Sequence, residues 1–204
     1  FKPKLFSRSL QSSIESLRQQ MDIPGASISV IDDGRIVWAR GFGIADKTTQ
    51  RKVTASTLFT ANSITKTLTS LAVVKLLAEK GIALDEPVNR YLTNWKIPDN
   101  SFTKRVPVTF RMLLNHTAAL TSPYPTGCCG PRETLPTMQQ FLEGKPPATN
   151  LPVQVTNVPG ESYAYCNGCY SVLQPALEAI GDNSFKLLMK ELVLAPSNMG
   201  VSTF

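Results

Sequence analysis

The sequence predicts an α/β chain of the α+β kind, with antiparallel strands early and helices through much of the remainder. Three stretches predict it: an alternating pair of segments around Asp32-Asp33-Gly34, an apolar run of helix formers ending at Gly81, and two leucine-rich helical segments near the end.

Ala26 to Ile31 alternates in character and is rich in β-branched residues, as a half-buried strand is. Asp32-Asp33-Gly34 is turn chemistry, and Arg35 to Ala39 returns as the second strand of a hairpin. Two strands alone make a marginal sheet. The next element is a long helix carrying Leu68, Leu71, Ala72, Val74, Leu76, Leu77 and Ala78, with Gly81 as its C-terminal stop. From Pro87 to Pro159 repeated prolines break the chain into short helices and loops. Within that region Thr121 to Pro136, with Tyr124 and an adjacent cysteine pair, is the best candidate for a substrate-facing rim. Ser171 to Ile180 and Ser184 to Leu194 then read as two helices packing Val172, Leu173, Leu177, Leu187, Leu188 and Leu192.

Composition narrows the function classes. With 204 residues, 42% hydrophobic and 18% charged, the chain can bury a sizeable core, and one compact unit of two lobes is expected over residues 1–204. There is no run of eighteen apolar residues, which argues against a membrane span. The net charge of +6 is spread along the chain, Lys104-Arg105 beside Phe102 being the nearest thing to a basic patch, so no nucleic-acid partner is expected. Phe1-Lys2-Pro3-Lys4-Leu5-Phe6 is too short and polar for a signal peptide, although a chain beginning after one would look the same.

Chemistry enters with Ser63-Ile64-Thr65-Lys66 at the opening of the long helix. Residues three apart on a helix are neighbours, so the Ser63 hydroxyl and the Lys66 amine can meet in its first turn. That turn has unpaired N–H groups and a positive dipole end, which favour an anionic Ser63 oxygen. A serine needs a base, and an ordinary lysine, pKa about 10.4, is protonated at neutral pH; base catalysis by Lys66 therefore calls for a desolvated amine. A second motif follows about a hundred residues later, Tyr165-Cys166-Asn167 after the Pro159-Gly160 turn. Alternate residues of an extended segment face the same way, so Tyr165 and Asn167 can offer a phenol and an amide to one pocket, with Cys166 turned away from it.

Ser-x-x-Lys followed by Tyr-x-Asn resembles the serine β-lactamase and penicillin-binding superfamily, nearest its class C branch, whose related class A motifs are well characterised. Three further segments resemble the framing stretches of that family: Ile23 to Val30, Val108 to Thr117, and Leu194 to Gly200. The likeness spans residues 10–204. It implies a β-lactamase/transpeptidase-like fold, an antiparallel sheet flanked by helices plus a mainly helical lobe. It also implies a serine hydrolase that forms an acyl-enzyme on a β-lactam, D-alanyl peptide or small ester, without a metal or organic cofactor. In that scheme Ser63 attacks the carbonyl, Lys66 accepts or relays its proton, Tyr165 moves protons to the leaving group or deacylating water, and Asn167 holds the substrate amide. The Ser63 N–H would supply half of an oxyanion hole, a device worth on the order of 3 kcal/mol in comparable hydrolases. The resemblance places the other half on a late strand with Lys or His, any residue, then Gly; no such strand follows Thr203-Phe204. Three expectations stay open on that ground: a second chain supplies the missing strands, these residues are a fragment of a longer product, or the domain is a non-catalytic binding or regulatory relative.

Cys128-Cys129 and Cys166-x-x-Cys169 could suggest zinc, but adjacent cysteines are awkward tetrahedral ligands and no metal site is expected. Disulfides would suit a periplasmic or secreted protein, with three connectivities open. His116 is the single histidine, which leaves no histidine cluster for a metal, and its place after Leu113-Leu114-Asn115 reads as pinning a helix end.

Overall fold

The computed structural model describes residues 8–123 and 135–204. The chain divides into two compact units, one ending at Thr60 and the other running Ala61–Phe204. Tyr124 and the Cys128-Cys129 pair of the expected rim lie outside the described residues.

The first unit contains helix α1 (Arg8–Gln20) and a three-stranded antiparallel sheet in the order β1 (Gly25–Asp32), β2 (Arg35–Asp46), β3 (Arg51–Lys52). Asp32 pairs with Arg35 across a two-residue turn in which Asp33 and Gly34 have φ of 47° and 69°. Such left-handed pairs match the twist of the flanking strands, and Asp-Gly adopts them at little cost. β2 extends past the expected end at Ala39 to Asp46, whose carboxylate accepts the Thr48 and Thr49 N–H groups and turns the chain into β3. The hairpin therefore gains a short third strand that carries no alternating pattern to announce it. Arg18, paired with Glu15 one turn earlier on α1, ties that helix to the entrance of β1 by a bond to the Pro24 carbonyl.

The second unit is helical. A 3₁₀ turn at Asn62–Ile64 leads into α2 (Thr65–Glu79), followed by α3 (Phe110–Leu114), α4 (Met138–Glu143), α5 (Asn167–Gly181) and α6 (Phe185–Met189). Gly81, at φ 66°, ends α2 as its position in the sequence requires. Side chains cap the shorter helices: Thr109 accepts from Met112 at α3, a Thr137–Gln140 capping box opens α4, and Ser184 accepts from Leu187 at α6.

α5 runs through the core. Cys169, Val172, Leu173, Ala176 and Leu177 are fully buried at helical spacing and pack with Val73, Leu76 and Leu77 of α2, Phe110 and Leu113 of α3, and Leu142 of α4. Each such leucine contributes roughly 1.5–3 kcal/mol by leaving water. The segment expected as one helix to Leu194 instead divides into α6 and a π turn at Lys190–Leu194. Leu187, expected in the core, is 44% exposed while Leu188 is buried. Successive helix residues point about 100° apart, and only Leu188 faces α5. Among the described residues no helix is long and apolar enough to cross a membrane.

Candidate active site

Every side chain of the candidate site belongs to the second unit. Ser63 sits on the 3₁₀ turn before α2, two residues ahead of the helix in whose first turn the sequence places it, and Lys66 is in the first turn of α2. The tighter turn keeps the two heads together: Lys66 Nζ donates to Ser63 Oγ at 3.1 Å. Tyr165 Oη donates to the same oxygen at 2.7 Å. Lys66 Nζ also donates to Asn167 Oδ1 at 2.9 Å. The structure thus brings Ser63, Lys66, Tyr165 and Asn167 into one bonded cluster, joining α2 to residues about a hundred positions away.

The local backbone differs from the extended segment expected. Cys166 is the N-cap of α5 and Asn167 its first residue, so Tyr165 and Asn167 reach the cluster across a loop-to-helix junction rather than from one face of a strand. Two features hold that junction. The Asn167 N–H donates to Ser122 Oγ at 2.8 Å. Gly168 lies so close to the Thr121 carbonyl that a Cβ there would stand 2.4 Å from it, so a side chain would push the helix start away. The Cys166 sulfur is buried and bonded to Cys169. A disulfide uses both thiolates, which removes this pair as zinc ligands.

A cavity of about 560 Å³ opens beside the cluster, lined by Ser63, Lys66, Ser70, His116, Tyr165 and Tyr170, with Leu71 and Val74 continuing it along α2. The site is open: Ser63 is exposed, Tyr165 is 47% exposed, and Lys66 is half-buried rather than enclosed as the sequence led one to expect. Proximity to Lys66, and then the hydrogen bond with Ser63, hold the Tyr165 phenol below the ordinary phenol range, burial opposing both. Lys66 Nζ stands 5.0 Å from the Tyr165 ring centre and 5.5 Å from that of Tyr170, within cation–π reach.

Among the cavity residues, Ser70, Tyr170 and His116 escaped the sequence reading as site members. Ser70, whose Oγ is 2.9 Å from Tyr170 Oη, follows Ser63 and Lys66 at the i, i+3, i+7 spacing of one helix face, and Tyr170 follows Asn167 by three. Those periodicities were available signals. His116, read as pinning a helix end, lies just past α3 with its ring 4.7 Å from that of Tyr165; nothing in its local sequence announces that contact. Among the described residues no group of three or more His, Cys, Asp or Glu side chains could hold a metal ion.

A family profile for beta-lactamase matches residues 10–204. The chain is 24% identical over 197 residues to Protein flp of Staphylococcus aureus (strain MW2), covering 96% of this chain and 38% of that protein. It is 31% identical over 119 residues to the mitochondrial serine beta-lactamase-like protein LACTB of Mus musculus, covering 56% of this chain and 21% of that protein. An octameric penicillin-binding protein homologue from Pyrococcus abyssi superposes with a TM-score of 0.75 at 30% identity, over 94% of this chain and 43% of that one. The chain thus spans less than half the length of each of these three relatives. A family match across almost all of its residues, joined to this three-dimensional likeness, places the chain in the beta-lactamase family.

Proposed function

We propose that the chain carries the serine half of an acyl-transfer site, with Ser63 attacking the carbonyl of a β-lactam, D-alanyl peptide or small ester. The observation that carries this is the placement of Ser63 Oγ between Lys66 Nζ at 3.1 Å and Tyr165 Oη at 2.7 Å. Nucleophile and base within hydrogen-bond reach, the base oriented by a third group, is what covalent catalysis requires.

Proton traffic divides between the two neighbours. Lys66 Nζ bonds both Ser63 and Asn167, and in this reading its role is to hold the pair together beside Tyr165. Tyr165, with its lowered pKa, is the better acceptor: once ionised, its oxygen takes the Ser63 proton across the same contact as the Oγ–carbonyl bond forms. The phenol returns that proton to the departing amine or alcohol. A water molecule, deprotonated in turn by Tyr165, attacks the acyl-enzyme, releases the acid and restores the Ser63 hydroxyl. Asn167, held by Lys66, is placed to hydrogen-bond a substrate amide. The proposed setting is periplasmic or secreted, supported by the Cys166–Cys169 disulfide, because such bonds persist in oxidising compartments.

Release of p-nitrophenol from p-nitrophenyl acetate, opening of nitrocefin and release of D-alanine from a D-alanyl-D-alanine peptide test the proposal and rank the substrates. Turnover of any one by wild type and not by Ser63→Ala supports it. Equal rates in both proteins, or none with any substrate, leaves the fold without this chemistry.

A further inference from the structure

His116 stands in left-handed backbone, φ 63°, directly after the C-cap of α3. From there it grips the junction before α5 twice. Its carbonyl accepts the Ala164 N–H at 2.9 Å, and its ring Nδ1 accepts the Cys166 N–H at 3.1 Å. The two bonds fall on either side of Tyr165 in the chain. The imidazole completes the hold by lying 4.7 Å from the Tyr165 ring at 36°, with Tyr170 at 5.4 Å and the edge of Tyr163 at 5.9 Å.

We propose that His116 is a positioning residue that holds the Tyr165 phenol on Ser63 while its imidazole is neutral and releases it when the imidazole is protonated. The chemistry follows from the acceptor. A backbone N–H can bond Nδ1 only through a lone pair, so the ring proton resides on Nε2. Protonation would put an N–H on Nδ1, facing the Cys166 N–H donor to donor, and would add a second positive charge beside Lys66. Burial first, then the Lys66 charge, hold the imidazole below its ordinary pKa, so it is neutral at pH 7 and the release falls on the acid side. Among the described residues the titratable groups facing the ring are Lys66 on α2, Tyr163 and Tyr165 before α5, and Tyr170 on α5; none of these is a carboxylate that would steady an imidazolium.

The kinetic part of this inference rests on the proposed hydrolase reading; the structural part does not. Because the chain has one histidine, its imidazole signals in an NMR titration need no sorting. The expected result is an Nε2–H tautomer titrating with a midpoint below about 6.5, the Cys166 amide and Tyr165 ring signals moving with the same midpoint. A titration that leaves those signals still, or an Nδ1–H tautomer, overturns the proposal even if the protein hydrolyses nothing. With an ester substrate, His116→Phe keeps a ring and loses the acceptor; kcat should fall about 10- to 100-fold with KM nearly unchanged, as misplacement of a reacting group does. His116→Asn, which tolerates left-handed backbone and offers Oδ1 near the place of Nδ1, should recover about tenfold over the Phe variant and lack the additional loss of rate below about pH 6.5 that the wild type shows beyond its Tyr165 limb. An additional loss that is unchanged in His116→Asn overturns the titrating role, and equal activity in the Phe variant and wild type overturns the hold.

Discussion

The Tyr165 phenol and the Ser63 hydroxyl meet at 2.7 Å although 102 positions separate them in the chain. Neither residue is buried enough for packing alone to explain the contact; it is set by the 3₁₀ turn before α2 and by the capped start of α5. Removing the phenol hydroxyl should therefore affect chemistry far more than folding. Tyr165→Phe is expected to lower kcat for an activated ester by about 10²- to 10⁴-fold while unfolding free energy in urea changes by less than about 0.5 kcal/mol.

Lys66 is the first cause of the lowered Tyr165 pKa, and that gives its replacement a signature. If the phenolate is the base, kcat/KM rises with pH along a limb whose midpoint lies below about 10, the ordinary phenol value. Lys66→Met should move that limb upward toward it, besides lowering the plateau. A limb that stays in place in the Met variant would assign the titration to another group.

The Cys166–Cys169 bond closes a loop between residues three apart at the start of α5. A ring that small constrains the unfolded chain modestly, by roughly 2 kcal/mol in the chain-entropy account. The double variant Cys166→Ser, Cys169→Ala keeps a hydroxyl at the N-cap, so equilibrium denaturation should report about that loss without loss of α5.

Stability should also follow His116. A histidine whose folded pKa lies below its unfolded value leaves the folded state fully favoured above the unfolded pKa, about 6.5, and costs stability as pH falls from there toward the folded value. The melting temperature of wild type should fall through that window more steeply than that of His116→Asn, measured side by side in the same buffers.

How much of this was legible in the sequence depends on whether a feature is local. The Asp33-Gly34 turn, the α2 stop at Gly81 and the buried α5 residues Val172, Leu173 and Leu177 are written in backbone preference and helical spacing, and they stand as read. The convergence of Ser63 with Tyr165 was legible only through motif spacing and family likeness. Its geometry was misjudged because Asn167 begins a helix, a choice made by the Cys166 cap, the Ser122 hydroxyl and the close approach of Gly168 to Thr121. Those are tertiary contacts, as is the His116 grip on Cys166, and a one-dimensional pattern carries no record of them. The open setting of Lys66 was hidden for the same reason, since exposure depends on which neighbours arrive.

The central claim is that Ser63 becomes acylated. Mixing the protein with p-nitrophenyl acetate, quenching in acid at early times and mapping the proteolytic peptides by mass spectrometry tests it directly. The account predicts an acetyl group on Ser63 that is absent from Ser63→Ala and much reduced in Tyr165→Phe; acetylation confined to other residues, or undiminished in Ser63→Ala, would contradict it.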